Sequence, residues 1–184
     1  MKLLDRFIQK WRMRRALRQV FPQARVIDVG AHHGELFQAL GGRLIAGFGV
    51  EPVIAAPIKT PGYVIYPGLF PAVRPPEGGW DVITLLAVLE HVPRAEQTAL
   101  AAACHDLLRV GGRVIITVPS ELVDHILAVL KFLRLIDGMS LEEHFGFQPG
   151  ETPRIFSAPQ FRLIRHQRFQ LGLNHLFVFE KVSQ

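Results

Sequence analysis

An aspartate, two glycines and two histidines fall within Asp28-Val29-Gly30-Ala31-His32-His33-Gly34, the first place where residue types and spacing could do chemistry. Val26, Ile27 and Val29 are β-branched and apolar, which suits a strand covered on both faces. Gly30 and Gly34 let the backbone turn sharply and approach a ligand closely, and Glu35-Leu36-Phe37 opens a helix. A strand–turn–helix corner presents free N–H groups to a bound molecule. Asp28, at the strand's end, puts a carboxylate within reach of it. The dinucleotide fingerprint would need glycines at 30, 32 and 35, and His32 and Glu35 break it.

The elements that must position this corner follow in order. A first crossover helix over 35–41 closes at Gly41-Gly42, and Leu44 to Val50 reads as the second strand, capped by Glu51. An acid ending that strand can accept both hydroxyls of a ribose, a charged bidentate pairing worth roughly 1.5–3 kcal/mol. Pro52, Pro57 and Pro61 leave room for about one helical turn before a short strand Tyr63–Tyr66. Residues 67–80, rich in proline and glycine, are expected as a loop lining the far end of a pocket through Gly68, Leu69 and Phe70. Asp81–Leu86 is the next buried strand. Leu89-Glu90-His91-Val92-Pro93 follows, then a helix from Arg94 to about Arg109, the turn Val110-Gly111-Gly112 and a strand Arg113–Val118. An apolar helix from about Glu121 to Ile136 and loop-like residues 138–160 precede a closing strand pair, Phe161–Phe169 and Asn174–Val182.

The 184 residues, 49% of them hydrophobic, suffice for one domain with a core. The start lacks a signal peptide's apolar stretch, and no uninterrupted apolar run is long enough to span a bilayer. The lone cysteine, Cys104, leaves no disulfide framework, so the cytoplasm is the expected compartment. Residues 1–20 hold seven basic residues against Asp5, a local charge of +6 that exceeds the chain's +5. The basicity belongs to one segment, and no nucleic-acid partner is expected. Residues 1–22 read as a basic amphipathic helix ahead of a domain over 23–184. It either lies across the sheet or, with the apolar segment 121–136, holds the protein at the inner face of a membrane. The thin covering near 52–80 would also leave sheet for a homodimer.

Residues 81–120, DVITLLAVLEHVPRAEQTALAAACHDLLRVGGRVIITVPS, resemble the small class I S-adenosylmethionine (SAM) methyltransferases. A strand, a Leu-Glu-His-Val-Pro segment, a helix, a Leu-x-x-Gly-Gly turn and a strand ending in Val-Pro stand here in that family's order. The corner at 26–37 matches the family's acidic-x-Gly-x-Gly-x-Gly loop, with His32 at the middle glycine. The pattern is similar to O-methyltransferases of the ubiquinone-biosynthesis type. The resemblance implies a Rossmann-like α/β fold with a seven-stranded, mostly parallel sheet, an antiparallel last strand and trimmed helices after strands 2 and 3. It implies SAM as cofactor and S-adenosylhomocysteine as product. Methionine-tail contacts would fall on Asp28, Gly30, His32 and Gly34, and the ribose acid on Glu51, followed by Pro52. Gly68, Leu69 and Phe70 would flank adenine; Leu86, Ala87 and His91 would line the space beside the sulfonium. Two positions depart from the family: Leu69 stands where an adenine-binding aspartate is frequent, and Ala87 where a glutamate is.

The implied reaction is in-line methyl transfer to a small-molecule or lipid- or sugar-linked acceptor, with oxygen as the expected atom. Base candidates are His91, His144 and Glu143. The histidines show no metal-ligand spacing. The competing reading is a methyltransferase-like fold kept as a binding or scaffold module. A nucleic-acid methyltransferase is disfavoured by the lack of an Asn/Asp-Pro-Pro-Tyr/Phe motif after the fourth strand. The assignment requires Glu51 to face the mouth of the corner and His32 not to plug it.

Overall fold

The computed structural model describes residues 3–120 and 147–183. The β-branched runs form β1 (Ala24–Val29), β2 (Leu44–Glu51), β4 (Tyr63–Pro67), β5 (Trp80–Leu86) and β6 (Leu108–Pro119), all five parallel. A short β3 (Ile58–Lys59) precedes β4, and β7 (Phe161–Phe169) and β8 (Asn174–Lys181) form the closing pair. The sheet order is β3-β4-β2-β1-β5-β6-β8-β7, with β8 inserted antiparallel between β6 and β7. The chain moves outward from β1 through β2 to β4, then returns to β5 on β1's other side. That reversal opens a crevice at the carboxyl ends of β1 and β5, where sheets of this kind bind ligands.

Among the described residues the sheet has eight strands where seven were expected. The addition is β3, which pairs antiparallel with β4. It replaces the helical turn expected between Pro52 and Pro61, and no α-helix stands between β2 and β5. Thr60 closes its hairpin: its N–H and hydroxyl donate to Tyr63 O, at 2.9 and 3.0 Å. Two boundaries also move. The helix α3 (Arg94–Leu107) stops before Arg109, because β6 already begins at Leu108 and absorbs Val110–Gly112 as an irregularity against β5. Residues 149–155, expected as loop, form a 3-10 turn (Pro149–Glu151) and a one-turn helix, α4 (Thr152–Ile155).

Each face of the sheet carries its own core. On one, α1 (Leu3–Leu17) and α2 (Glu35–Leu40) cover Val26, Val82, Ile115 and Val178. On the other, α3 and α4 cover Ile27, Ile83, Leu85, Ile116 and Phe179. Trp11, Met13 and Leu17 of α1 pack onto the first core, and Ala16 is fully buried. The helix therefore lies across the sheet with Lys10, Arg14 and Arg18 exposed. The apolar segment 121–136 is outside the described residues. No helix among the described residues is long and apolar enough to cross a membrane.

The buried Lys181 fastens the last strand. Its Nζ donates to His105 O at 2.7 Å and Leu108 O at 2.9 Å, satisfying carbonyls where α3 ends. Lys181→Met keeps the apolar stem but leaves those carbonyls unpaired. It should lower unfolding stability by about 1.5–3 kcal/mol in urea melts; an unchanged midpoint would contradict this role.

Candidate functional site

β1 delivers Asp28 to the crevice, and the chain then bends over the end of β2. Gly30 and Ala31 both donate their N–H to Val50 O, at 2.9 and 3.2 Å. The bend needs φ = +77° at Gly30, and a Cβ there would sit 2.8 Å from Val88 Cγ2. Gly30 is thus required both by conformation and by the close approach of the chain leaving β5. Gly34, the residue before α2, has φ = +86°, with the Tyr63 ring where a Cβ would go. Between them His32 takes a left-handed φ of +48°, a conformation that histidine adopts more readily than most residues. This explains how it replaces the family's middle glycine.

His32 also answers the question of the plug. Its ring is turned to the exterior, 54% exposed, with Nδ1 3.0 Å from Glu35 Oε1. Its backbone N–H donates to Glu51 Oε2 at 2.9 Å. The other oxygen of Glu51 accepts the N–H of Val53 at 3.1 Å. Glu51 is 7% exposed, buried at the end of β2 with its carboxylate drawn toward the glycine corner. Beside it opens a cleft of about 370 Å³, lined by His32, His33, Glu51, Val53, Ile54 and Ile58 among others.

Asp28 is 5% exposed. Thr84, its cross-strand partner on β5, donates Oγ1–H to Asp28 Oδ1 at 2.5 Å. Burial, with the nearby carboxylates of Glu35 and Glu51, outweighs that hydrogen bond and pushes the Asp28 carboxyl up to about 7. Three acids around one corner, one of them half-protonated at neutral pH, make a site that gains when a cation arrives.

The end of β5 closes the other side. Ala87 takes φ = +59° and donates its N–H to Thr117 O at 2.9 Å. Strained non-glycine positions of this kind cost about 1–3 kcal/mol and cluster at functional sites. The Leu89–His91 turn then buries Glu90 and leaves His91 exposed. Behind that turn, burial pushes the Arg12 guanidinium of α1 below its ordinary value, and the charge of Glu90 opposes that shift.

The structure thus brings together Asp28, Gly30, His32, Gly34 and Glu51, of which His32 and Glu51 line the cleft. Val88 reaches Gly30 from the segment that carries Leu86, Ala87 and His91, and Leu86 itself packs onto the α1 and α2 side of the sheet. Gly68 stays beside Glu51, its N–H 3.3 Å from Glu51 O. Leu69 is 67% exposed and Phe70 packs into the α3-side core. Neither lines the cleft, nor does the exposed Pro52. The wall is built by Val53, Ile54 and Ile58, whose only signal was an apolar run after Glu51. His144 and Glu143 are outside the described residues. No group of three or more His, Cys, Asp or Glu able to hold a metal occurs among the described residues.

Residues 2–176 match a family model described as a methyltransferase domain. A search of curated proteins returns no sequence match. Among solved structures, the 1,6-didemethyltoxoflavin-N1-methyltransferase of Burkholderia thailandensis, which holds 1,6-didemethyltoxoflavin and S-adenosylhomocysteine, is similar with a TM-score of 0.68. It shares 18% identity, over 97% of this chain and 82% of its own. The magnesium protoporphyrin IX methyltransferase of Synechocystis gives a TM-score of 0.68 at 14% identity, over 98% of this chain and 88% of its own. A TehB-like methyltransferase from Corynebacterium glutamicum gives 0.64 at 13%, over 96% and 97%. At these identities the likeness is one of fold.

Asp28 also gives the protein a stability signature. A carboxyl whose folded value lies near 7, against about 3.9 unfolded, binds its proton more tightly in the native state. Its contribution is full below about pH 4 and is lost as pH rises through 7. Asp28→Asn, which keeps an acceptor for Thr84, should therefore be more stable than wild type at pH 8. The gap should shrink as pH falls from 8 to 5, by at most about 1.4 kcal/mol for each pH step of one. A gap independent of pH in thermal melts would contradict it.

Proposed function

The chain belongs to the family of methyltransferase domains, and from that premise we propose that it transfers a methyl group from SAM to an oxygen of a small-molecule or lipid- or sugar-linked acceptor. The observation that carries this reading is the bond from His32 N–H to Glu51 Oε2. It aims a buried carboxylate at the glycine corner. Each oxygen of Glu51 spends one lone pair on a backbone N–H; a carboxylate has about four such sites, so both oxygens retain capacity for the two hydroxyls of a ribose.

The residues present fit the cofactor. Glu51 would hold the ribose and the walls at Val53 and Ile58 the nucleoside, while Asp28 would face the ammonium of the methionine tail. The N–H groups of residues 30–34, expected to be free, are spent on Val50 O, Glu51, Glu35 and Ala31 O. Bound SAM would supply an electrophilic methyl on a sulfonium, so the leaving group is activated before the protein acts. What remains for the chain is alignment, which can contribute roughly 7–11 kcal/mol. Val88 over Gly30 fixes the distance between the corner and the end of β5. An alcohol or phenol must also lose a proton, and His91 stands exposed on that same segment to take it.

Isothermal titration should detect SAM binding at pH 8, weakened about 10- to 100-fold by Glu51→Gln. Affinity should fall as pH drops below 7, by up to about tenfold per pH unit, because Asp28 must release its proton to face a cation. Binding indifferent to both changes would reject the reading. The scaffold alternative rests on the trimmed covering between β2 and β5 and on Ala87, and methyl transfer to any acceptor would exclude it.

A further inference from the structure

The cofactor corner leaves a second cleft unused. It lies at the carboxyl end of β6, on the flank where the β7–β8 hairpin joins the sheet, and measures about 440 Å³. β6 ends at Pro119; β8 enters antiparallel, which sets His175 opposite Val118. Across the hairpin, Arg168 lies opposite His175 and His166 opposite Phe177. Register alone therefore gathers two imidazoles and a guanidinium at one edge, and all three line the cleft with Ser120, Phe177 and Pro153.

The two rings form a pair. His166 Nε2 and His175 Nδ1 are 2.9 Å apart and share one hydrogen, and His166 stacks on Phe177 at 4.3 Å between centroids. Burial, then each other's charge and Arg168, hold His175 down to about 4; burial and Arg168 lower His166. Among the described residues no carboxylate lines the cleft. In the neighbouring 149–155 segment Glu151 is engaged by Arg94 of α3 at 3.2 Å, and Arg154 adds a further positive charge. β6 contributes no charged side chain there. Ser120 is 8% exposed, and its Oγ is buried without a hydrogen-bond partner among the described residues, although its N–H is satisfied by Leu173 O. An unpaired buried hydroxyl costs about 1–3 kcal/mol.

A permanent cation, two rings that could become cations and a hydroxyl without a partner form a cluster that has no counter-anion among the described residues. We propose that this cleft binds an oxyanion, a phosphate or carboxylate group carried by the methyl acceptor. Arg168 and the histidine pair take its charge, Ser120 donates its O–H, and Phe177 and Pro153 face the apolar body. Ala87 is bonded to Thr117, and the next residue, Val118, pairs with His175. Two strand spacings, roughly 10 Å, separate the end of β5 from the anchor. A molecule held there by its anionic end can lay a hydroxyl beside Ala87. The acceptor role rests on the methyltransferase reading; the anion site does not.

The test is histidine-selective NMR on the full chain at pH 6.5, titrated with inorganic phosphate, with acetate in a second arm and potassium chloride at matched ionic strength as control. The His166 and His175 signals should shift saturably at millimolar phosphate, and both rings should titrate about one pH unit or more higher with phosphate bound. Arg168→Ala should weaken binding about tenfold or more, and Ser120→Ala by a smaller factor. A response to acetate as well extends the site to carboxylates; a response to phosphate alone narrows it to phosphates. Shifts no larger than the chloride control up to about 50 mM in both arms, or unchanged in Arg168→Ala, would overturn the proposal. SAM titration of the same sample separates the two claims: phosphate binding without SAM binding removes the methyltransferase reading and leaves this site, and the reverse removes this site alone.

Discussion

One hydrogen bond, from the backbone N–H of His32 to the carboxylate of Glu51, joins the two halves of the site. It crosses from the turn after β1 to the end of β2, strands already paired residue by residue up to Val29 and Val50. Without it one oxygen of a buried carboxylate would lose its partner, a costly arrangement, with Val53 N–H left to hold the other. With it, loop and acid are positioned before any ligand arrives. Preorganisation of that kind is what an alignment-driven reaction needs from its protein. Val88, pressed on Gly30, extends the same constraint to β5.

The electrostatics are arranged around the same bond. Glu51 and Glu35 are tied down by backbone N–H groups of His32, Val53 and His33, while Asp28 accepts the hydroxyl of Thr84 as its side-chain partner among the described residues. The acid with the poorest partners carries the strain of the cluster and is held near neutrality. A cationic ligand would release that strain, so the site is least stable in the state that binds best. Such a trade of stability for function is common where charge must be received.

How much was legible in the sequence followed how local the determinants were. The strand–glycine–helix corner, the acid ending β2, the Leu-Glu-His-Val-Pro turn and the closing strand pair are each written in a few consecutive residues, and all stand where they were expected. The parts that were not legible depend on pairing between distant segments. Ile58–Lys59 between two prolines looks like loop until β4 offers it an edge. The wall of Val53, Ile54 and Ile58 takes its meaning from the fold of that hairpin, and Leu69 faces outward because Phe70 takes the inward place. His166 and His175 are nine positions apart, and nothing short of strand register tells that their rings meet.

The most direct measurement of the central claim is a crystal structure of the chain soaked with S-adenosylhomocysteine. The ribose hydroxyls should lie on the Glu51 carboxylate, with the His32 N–H bond retained and the His32 ring still turned outward. A nucleoside bound elsewhere, or a Glu51 side chain swung away from the corner, would contradict it.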